Sequence, residues 1–236
     1  MPTSAPAMPV ALACISSMAT RQLLNELAAD FTARTGQPVA IESVGGVDAA
    51  QRVQAGEVFD AVFLASDAID KLLAAGHLQA GSRVDLVHSG VAVAVQSGAV
   101  APDISSEDAV RAAVLAAPTL SYSTGPSGVA LARLFARWGI ADTIKERLVQ
   151  APPGVPVGAL VARGEVALGF QQLSELIHVP GITIVGPLPC AIQIITTFSA
   201  GVGGQSTQPV AVRALLDFMS APQAAAAKQR QGMQPA

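Results

Sequence analysis

Short apolar runs alternate with stretches of helical periodicity along the whole chain. Val10–Ile15 reads as a strand. Ser16 or Ser17 then caps a helix that sets Leu24, Leu27 and Phe31 on one face and stops at Gly36. Pro38–Val44 reads as the next strand, ending in Gly45-Gly46, with Asp48–Ala55 helical behind it. Asp60–Ala65 is a third strand, and Ser66-Asp67 caps a helix that runs to Gly76. Val84–Gln96 contains the long apolar run Val91–Val95, and Ser105 or Ser106 caps a helix to Ala116. The alternation resumes with Thr119–Ser123 as a strand, Thr124–Gly128 as a tight turn, and a helix whose Leu131, Leu134, Phe135 and Trp138 share one stripe. Arg147–Gln150, Val166–Phe170, Thr183–Val185 and Ile192–Ala200 read as strands, and Pro152–Pro156 as a turn. Val157–Ala162, Leu173–Ile177, Gln208–Met219 and Pro222–Gln231 read as helices. Such alternation predicts an α/β fold with parallel sheets covered by helices on both faces.

Composition narrows the partners. The 236 residues are 51% hydrophobic and 13% charged, which excludes disorder. No window reaches the roughly 18 consecutive apolar residues of a spanning helix, so no membrane insertion is expected. Net charge is −3, and the only lysines are Lys71, Lys145 and Lys228. With no basic stripe and no polybasic segment, neither nucleic acid nor an anionic membrane surface is an expected partner. Cys14 and Cys190 have no metal-ligand spacing and read as buried free thiols. No metal or cofactor is expected, because zinc motifs and glycine-rich phosphate loops are both absent. Met1–Pro9 has no positive leader-like segment, and Val10–Ile15 is too short for a leader's apolar core. A chain that starts natively at Met1 would be cytoplasmic, and one that has lost a leader would be periplasmic.

In open α/β sheets ligands bind beyond the carboxyl ends of the strands. The junctions there are Cys14–Met18, Ser43–Val47, Ser123–Gly128, Ala151–Pro156 and Gly169–Leu173, rich in serine, glycine and paired glutamines. Helix starts of this kind leave backbone N–H groups facing outward in a positive potential, so they hold an anion without basic side chains. Taken singly, each junction is better explained by turns and caps; their recurrence in both halves brings a ligand level with that reading. Acid–base candidates are few. Tyr122 lies beside the Ser123 junction and His88 precedes the long strand. Asp60 and Glu165 read as turn and capping groups.

Taken in order, "TGQPVAIES", "GEVFDAVFLASD", "SRVDLVHSGVAVAV", "YSTGPSGV", "LVARGEVALGF" and "FMSAPQAAAAKQRQGM" resemble the molybdate-binding family of ABC-transporter solute-binding proteins. The resemblance implies a two-lobed type II periplasmic-binding-protein fold, each lobe a sheet flanked by helices, with a ligand cleft between. Residues 1–88 plus 198–236 would form lobe one and 89–197 lobe two. A monomer that meets an ABC-transporter permease is the implied assembly. The family's first-strand serine matches Ser16 or Ser17, and its second-strand serine matches Gly45 or Gly46. The lobe-two helix start matches Gly125, Pro126, Ser127 and Gly128, the next junction Val155, and the family's tyrosine Gln171 or Gln172. Glycine and glutamine in place of hydroxyls favour a larger, flatter anion, such as a di- or tricarboxylate, over molybdate. The runs "GFQQLSEL", "VGPLP" and "TTFSAG" also resemble a branch of the family that includes bacterial aconitate isomerase. The leading expectation is thus a binding protein that closes over a small organic anion. The alternative is an isomerase that performs a 1,3-proton shift on a polycarboxylate in the same cleft, its base left open between Tyr122, His88 and an acid near the hinge.

Overall fold

The computed structural model describes residues 9–152 and 155–236; all but the last residue of the Met1–Pro9 segment and part of the Pro152–Pro156 turn fall outside that range. The described residues form nine strands and ten α-helices. In chain order these are β1 (Leu12–Ser17), α1 (Arg21–Thr35), β2 (Val39–Val44), α2 (Gly46–Gln54), β3 (Ala61–Ala65), α3 (Ser66–Ala74), β4 (Val84–Gln96), α4 (Glu107–Ala116) and β5 (Leu120–Tyr122). There follow α5 (Pro126–Arg137), α6 (Ala141–Ile144), α7 (Val157–Ala162), β6 (Leu168–Gln172), α8 (Leu173–Leu176), β7 (Ile182–Pro187), β8 (Ile195–Val202), α9 (Pro209–Ser220), α10 (Ala225–Arg230) and β9 (Met233–Pro235).

The strands run in the order β2-β1-β3-β8-β4-β6-β5, with β7 and β9 also on β4. β1, β2 and β3 are parallel, as are β5 and β6, but β8 runs antiparallel to β3 and β4, and β4 is antiparallel to every partner. The sheets are therefore mixed, where alternation alone predicts parallel ones. The reason lies in β4. It pairs with β8 over Val84–Gly90 and with β6 and β7 over Val91–Gln96, so one strand serves both sheets. A strand that crosses from one sheet to the next, and a second that returns, must run in opposite senses.

Burial explains the continuous apolar runs. In β3, Ala61, Phe63 and Ala65 pack under α1 and α9, while Val62 and Leu64 pack on the opposite face with Ile15 and Ile69. Such a strand, covered on both faces, has no room for polar alternation. The second sheet has its own core, in which Val91, Val93 and Val95 meet Leu131, Phe135 and Phe170. Phe135 contacts Phe170 and Tyr122 edge-on, with ring centres 6.0 and 5.9 Å apart.

Local differences from the sequence reading have physical causes. Arg147–Gln150 is not a strand: Lys145–Arg147 forms a 3-10 turn, and only an isolated bridge joins Leu148 to Leu120. Pro126 starts α5 because proline suits a helix's first position, so Ser127 and Gly128 are helical rather than part of a turn. Ser106 caps α4, its hydroxyl accepting from the Ala109 N–H at 3.1 Å. The short β9 was not anticipated. Of the two free cysteines, Cys14 is buried but Cys190 is exposed.

Candidate functional site

A cavity of about 430 Å³ lies between the two sheets, at the carboxyl ends of β1, β2, β3, β5 and β6. From the first sheet it is lined by Ser17, Gly45 and Gly46, and from the second by Gly125, Pro126, Ser127, Val155, Gln171 and Gln172. The structure thus brings most of the sequence candidates together around one space. Ser16, Gly128, Tyr122 and His88 do not line it.

Strand geometry decides between the two serines. Successive side chains point to opposite faces, so Ser16 and Ser17 cannot share a wall. Ser16 is fully buried and its Oγ bonds Ser43 Oγ at 2.7 Å, tying β1 to β2. Ser17 faces the cavity, is 6% exposed, and its Oγ has no hydrogen-bond partner. A buried hydroxyl left so costs about 1–3 kcal/mol until something bonds it. Beside it, Gly45 is the N-cap of α2, and a Cβ at Gly46 would lie 3.5 Å from Ser17 Cβ. The amides of the first turn of α2 have no partner within the helix, and Gly45, Gly46 and Val47 there line the cavity.

On the other wall α5 begins after Gly125, and its first internally paired amide is that of Val129, which donates to Gly125 O at 3.1 Å. Ser127 and Gly128 therefore keep N–H groups that the helix does not use. Gly128 is needed for packing: a Cβ there would sit 1.5 Å from the Ser123 carbonyl oxygen. That glycine lets the start of α5 press against the end of β5. Ser127 Oγ bonds Ser123 Oγ at 3.0 Å.

Three sequence candidates are already engaged. The Val155 N–H donates to Pro152 O at 3.0 Å, so its amide is not the free donor the junction suggested. Gln171 Oε1 accepts from the Gly158 N–H at 3.1 Å, and its Nε2 donates to Glu175 Oε1 at 2.9 Å. In the amide orientation that satisfies both ends, Gln172 Nε2 donates to Ser89 Oγ at 2.8 Å and Gly90 O at 3.2 Å, and its Oε1 accepts from Thr196 Oγ1 at 2.9 Å. Gln172 thus brackets the stretch where β4 passes from one sheet to the other. His88 lies in that stretch too, with Nδ1 3.0 Å from Thr197 Oγ1. Tyr122 packs against Phe135 in the second core. Neither acid–base candidate named from sequence reaches the cavity.

Charged groups that sequence reasoning missed do reach it. Asp67 and Lys71 stand one turn apart on α3, exposed at the cavity. Glu175 projects from α8 and is half-buried, and burial pushes its carboxyl up to about 7 against the pull of the Gln171 donor. The Ala65–Asp67 junction repeats the pattern of the other strand–helix junctions but reads only as a cap. Glu175 is the one acid in the apolar segment after β6, four residues beyond Gln171.

A cleft between two sheets joined by crossing strands, with helix starts on both walls, defines a two-lobed solute-binding fold. The chain belongs to the bacterial extracellular solute-binding proteins, whose family pattern matches residues 12–234. It is 40% identical over 232 residues to a Pseudomonas sp. protein named aconitate isomerase, covering 95% of this chain and 87% of that protein. The fold matches the periplasmic molybdate-binding protein of Azotobacter vinelandii with a TM-score of 0.78 at 21% identity, covering 94% of this chain and 98% of that one. It also matches the binding protein AgtB of A. tumefaciens R10, solved with agropinic acid, with a TM-score of 0.70 at 12% identity, covering 96% and 83%.

Proposed function

We propose that the cleft closes over a di- or tricarboxylate and moves its carbon–carbon double bond by a 1,3-proton shift. The observation that carries the ligand class is the set of unused donors around one roomy cavity. Ser17 Oγ, the starts of α2 and α5, and the Lys71 ammonium are spread around a space of about 430 Å³. That volume is of the size that holds small organic ligands, about 300–1,000 Å³. Donors spread over two walls suit carboxylates at the ends of a short carbon skeleton better than one compact tetrahedral ion. The isomerase reading is supported by the relative named aconitate isomerase. In this reading lobe one is 1–88 with 198–236, lobe two is 89–197, and closure turns about the β4 stretch that Gln172 brackets.

Donors fixed in place stabilise the enolate-like charge that develops when a C–H beside a double bond loses its proton. The second reading is a receptor that hands the same anion to an ABC-transporter permease, supported by membership of the solute-binding family. Proton NMR of cis- and trans-aconitate with the protein distinguishes the two: migration of the double bond supports the isomerase, and saturable binding without it the receptor. A thermal-shift series with molybdate, sulfate and tricarboxylates tests the ligand class. At 100 times its Kd a ligand adds about 2.7 kcal/mol, and stabilisation by molybdate alone would overturn the carboxylate reading.

A further inference from the structure

The cleft holds one carboxyl that structure alone does not account for. Glu175 lines the cavity and takes part in none of the ion pairs among the described residues. Its single hydrogen bond comes from Gln171. A half-buried carboxyl with one neutral donor is a poor structural device, since glutamine would fill the same space without a charge to desolvate. Its donor is oriented with care. Gln171 Oε1 faces the Gly158 N–H, a group that only donates, so the amide nitrogen must face Glu175. Gln171 therefore offers Glu175 Oε1 a proton and accepts none. A proton gained by Glu175 must sit on Oε2, which has no hydrogen bond and is not among the polar atoms sealed from solvent.

We propose that Glu175 is the catalytic residue that carries the proton between two carbons of a bound tricarboxylate, through Oε2, and that Gln171 is its positioning residue. This rests on the isomerase reading. The carboxylate takes a proton from the CH2 carbon beside the double bond, and the freed C–H pair becomes the new C=C. The former π pair moves onto the far carbon and spreads into its carboxylate. Oε2 then returns the proton to that carbon, so atoms and electrons balance within substrate and Glu175.

Proton transfer works best from a group that titrates near the working pH, and burial holds the Glu175 carboxyl at about 7. Few charges can blur this. Of the elements packed on α8, β6 and the Met18–Thr20 turn carry none. Beside the α10–β9 turn, whose Gly232 lies against Leu173, stand Lys228, which is buried, and Arg230, which pairs with Glu26. On β4, Asp85 is held by Arg83 and Ser199, and His88 by Thr197, both before the strand enters the second sheet. Asp67 and Lys71 are the other charged groups of the cavity.

The test follows isomerisation of trans-aconitate in D2O by proton NMR, which reads double-bond migration and deuterium entry together, with Kd measured by calorimetry. Glu175→Gln is expected to keep Kd within a few-fold and to lose both signals by at least about 100-fold. Glu175→Asp, which keeps the acid on a shorter arm, is expected to retain part of the rate and guards against a simple folding failure. In the wild type kcat/KM is expected to rise with pH through about 7. Gln171→Leu removes the donor that favours the carboxylate, so the rise is expected at higher pH, a change that a purely structural role would not produce. If the wild type isomerises and Glu175→Gln keeps more than a tenth of the rate, the assignment is overturned while the isomerase reading stands. If the wild type binds the tricarboxylate but neither moves the double bond nor admits deuterium, both fall together.

Discussion

The two walls of the cleft carry similar residue types and use them differently. On the first-sheet wall, Ser17 Oγ has no partner and Lys71 is in no ion pair among the described residues. On the second-sheet wall, the Val155 amide, Gln171 and Gln172 are already bonded within the protein. A wall with unused donors is set to grip whatever anion enters. On the second-sheet wall only the start of α5 keeps such donors, and the glutamine amides are engaged in holding Glu175 and the β4 crossing in fixed geometry. Polar residues at a cleft thus do not all point to ligand contacts; what decides is whether their hydrogen bonds are already made.

The largest effect that would break this contrast comes from the second-sheet wall. Gly128→Ala puts a Cβ where the Ser123 carbonyl oxygen lies 1.5 Å away, so α5 must move. Overpacking of this kind is expected to cost about 3 kcal/mol, read as a lower midpoint in urea unfolding. Next comes Glu175→Gln, measured for stability without ligand. The folded carboxyl titrates at about 7 against an ordinary 4.5, so the folded state holds its proton more tightly than the unfolded one. That contribution is full below about 4.5 and is lost as pH rises through about 7. The variant is therefore expected to gain about 1–3 kcal/mol over the wild type between pH 5 and pH 8, the gain growing from about pH 4.5 and levelling off above about pH 7.

Much of this architecture was legible from pattern. The buried runs Ala61–Ala65 and Val91–Val95 and the stop at Gly36, whose φ is +74°, are local signals, and the structure places them where the spacing puts them. Strand direction was not legible, because β4 looks like an ordinary long strand until its two halves find different partners. The cleft was legible where junctions carry serine and glycine. Lys71 and Glu175 sit on helices, where a charged residue reads as solvated surface, and only the packing of the two sheets around one cavity places them at its wall. The opposite case is Val155 and Gln172, which line the cavity but whose hydrogen bonds are already made, by Pro152 three residues back and by Ser89, Gly90 and Thr196 far along the chain.

Two substitutions on the first-sheet wall sharpen the contrast at smaller scale. Lys71→Met removes the cavity's only cation among the described residues and is expected to weaken tricarboxylate binding by about 2 kcal/mol, the worth of a hydrogen bond to a charged group. Rising salt should weaken the wild type and narrow the gap. Ser17→Ala gives the smallest effect and the clearest sign. Without ligand its Oγ bonds nothing, so removing it takes away a desolvated hydroxyl and no hydrogen bond. Apo stability is therefore expected to hold or rise slightly, whereas binding, which gives that hydroxyl its partner, is expected to weaken by about 1 kcal/mol. Ser16→Ala, which breaks the bond to Ser43 outside the cavity, should show the reverse: lower stability and unchanged affinity. Calorimetric titration beside thermal melts of the two variants reads both quantities. A loss of apo stability in Ser17→Ala would mean that the hydroxyl serves the fold, and the first-sheet wall would then be no freer than the second.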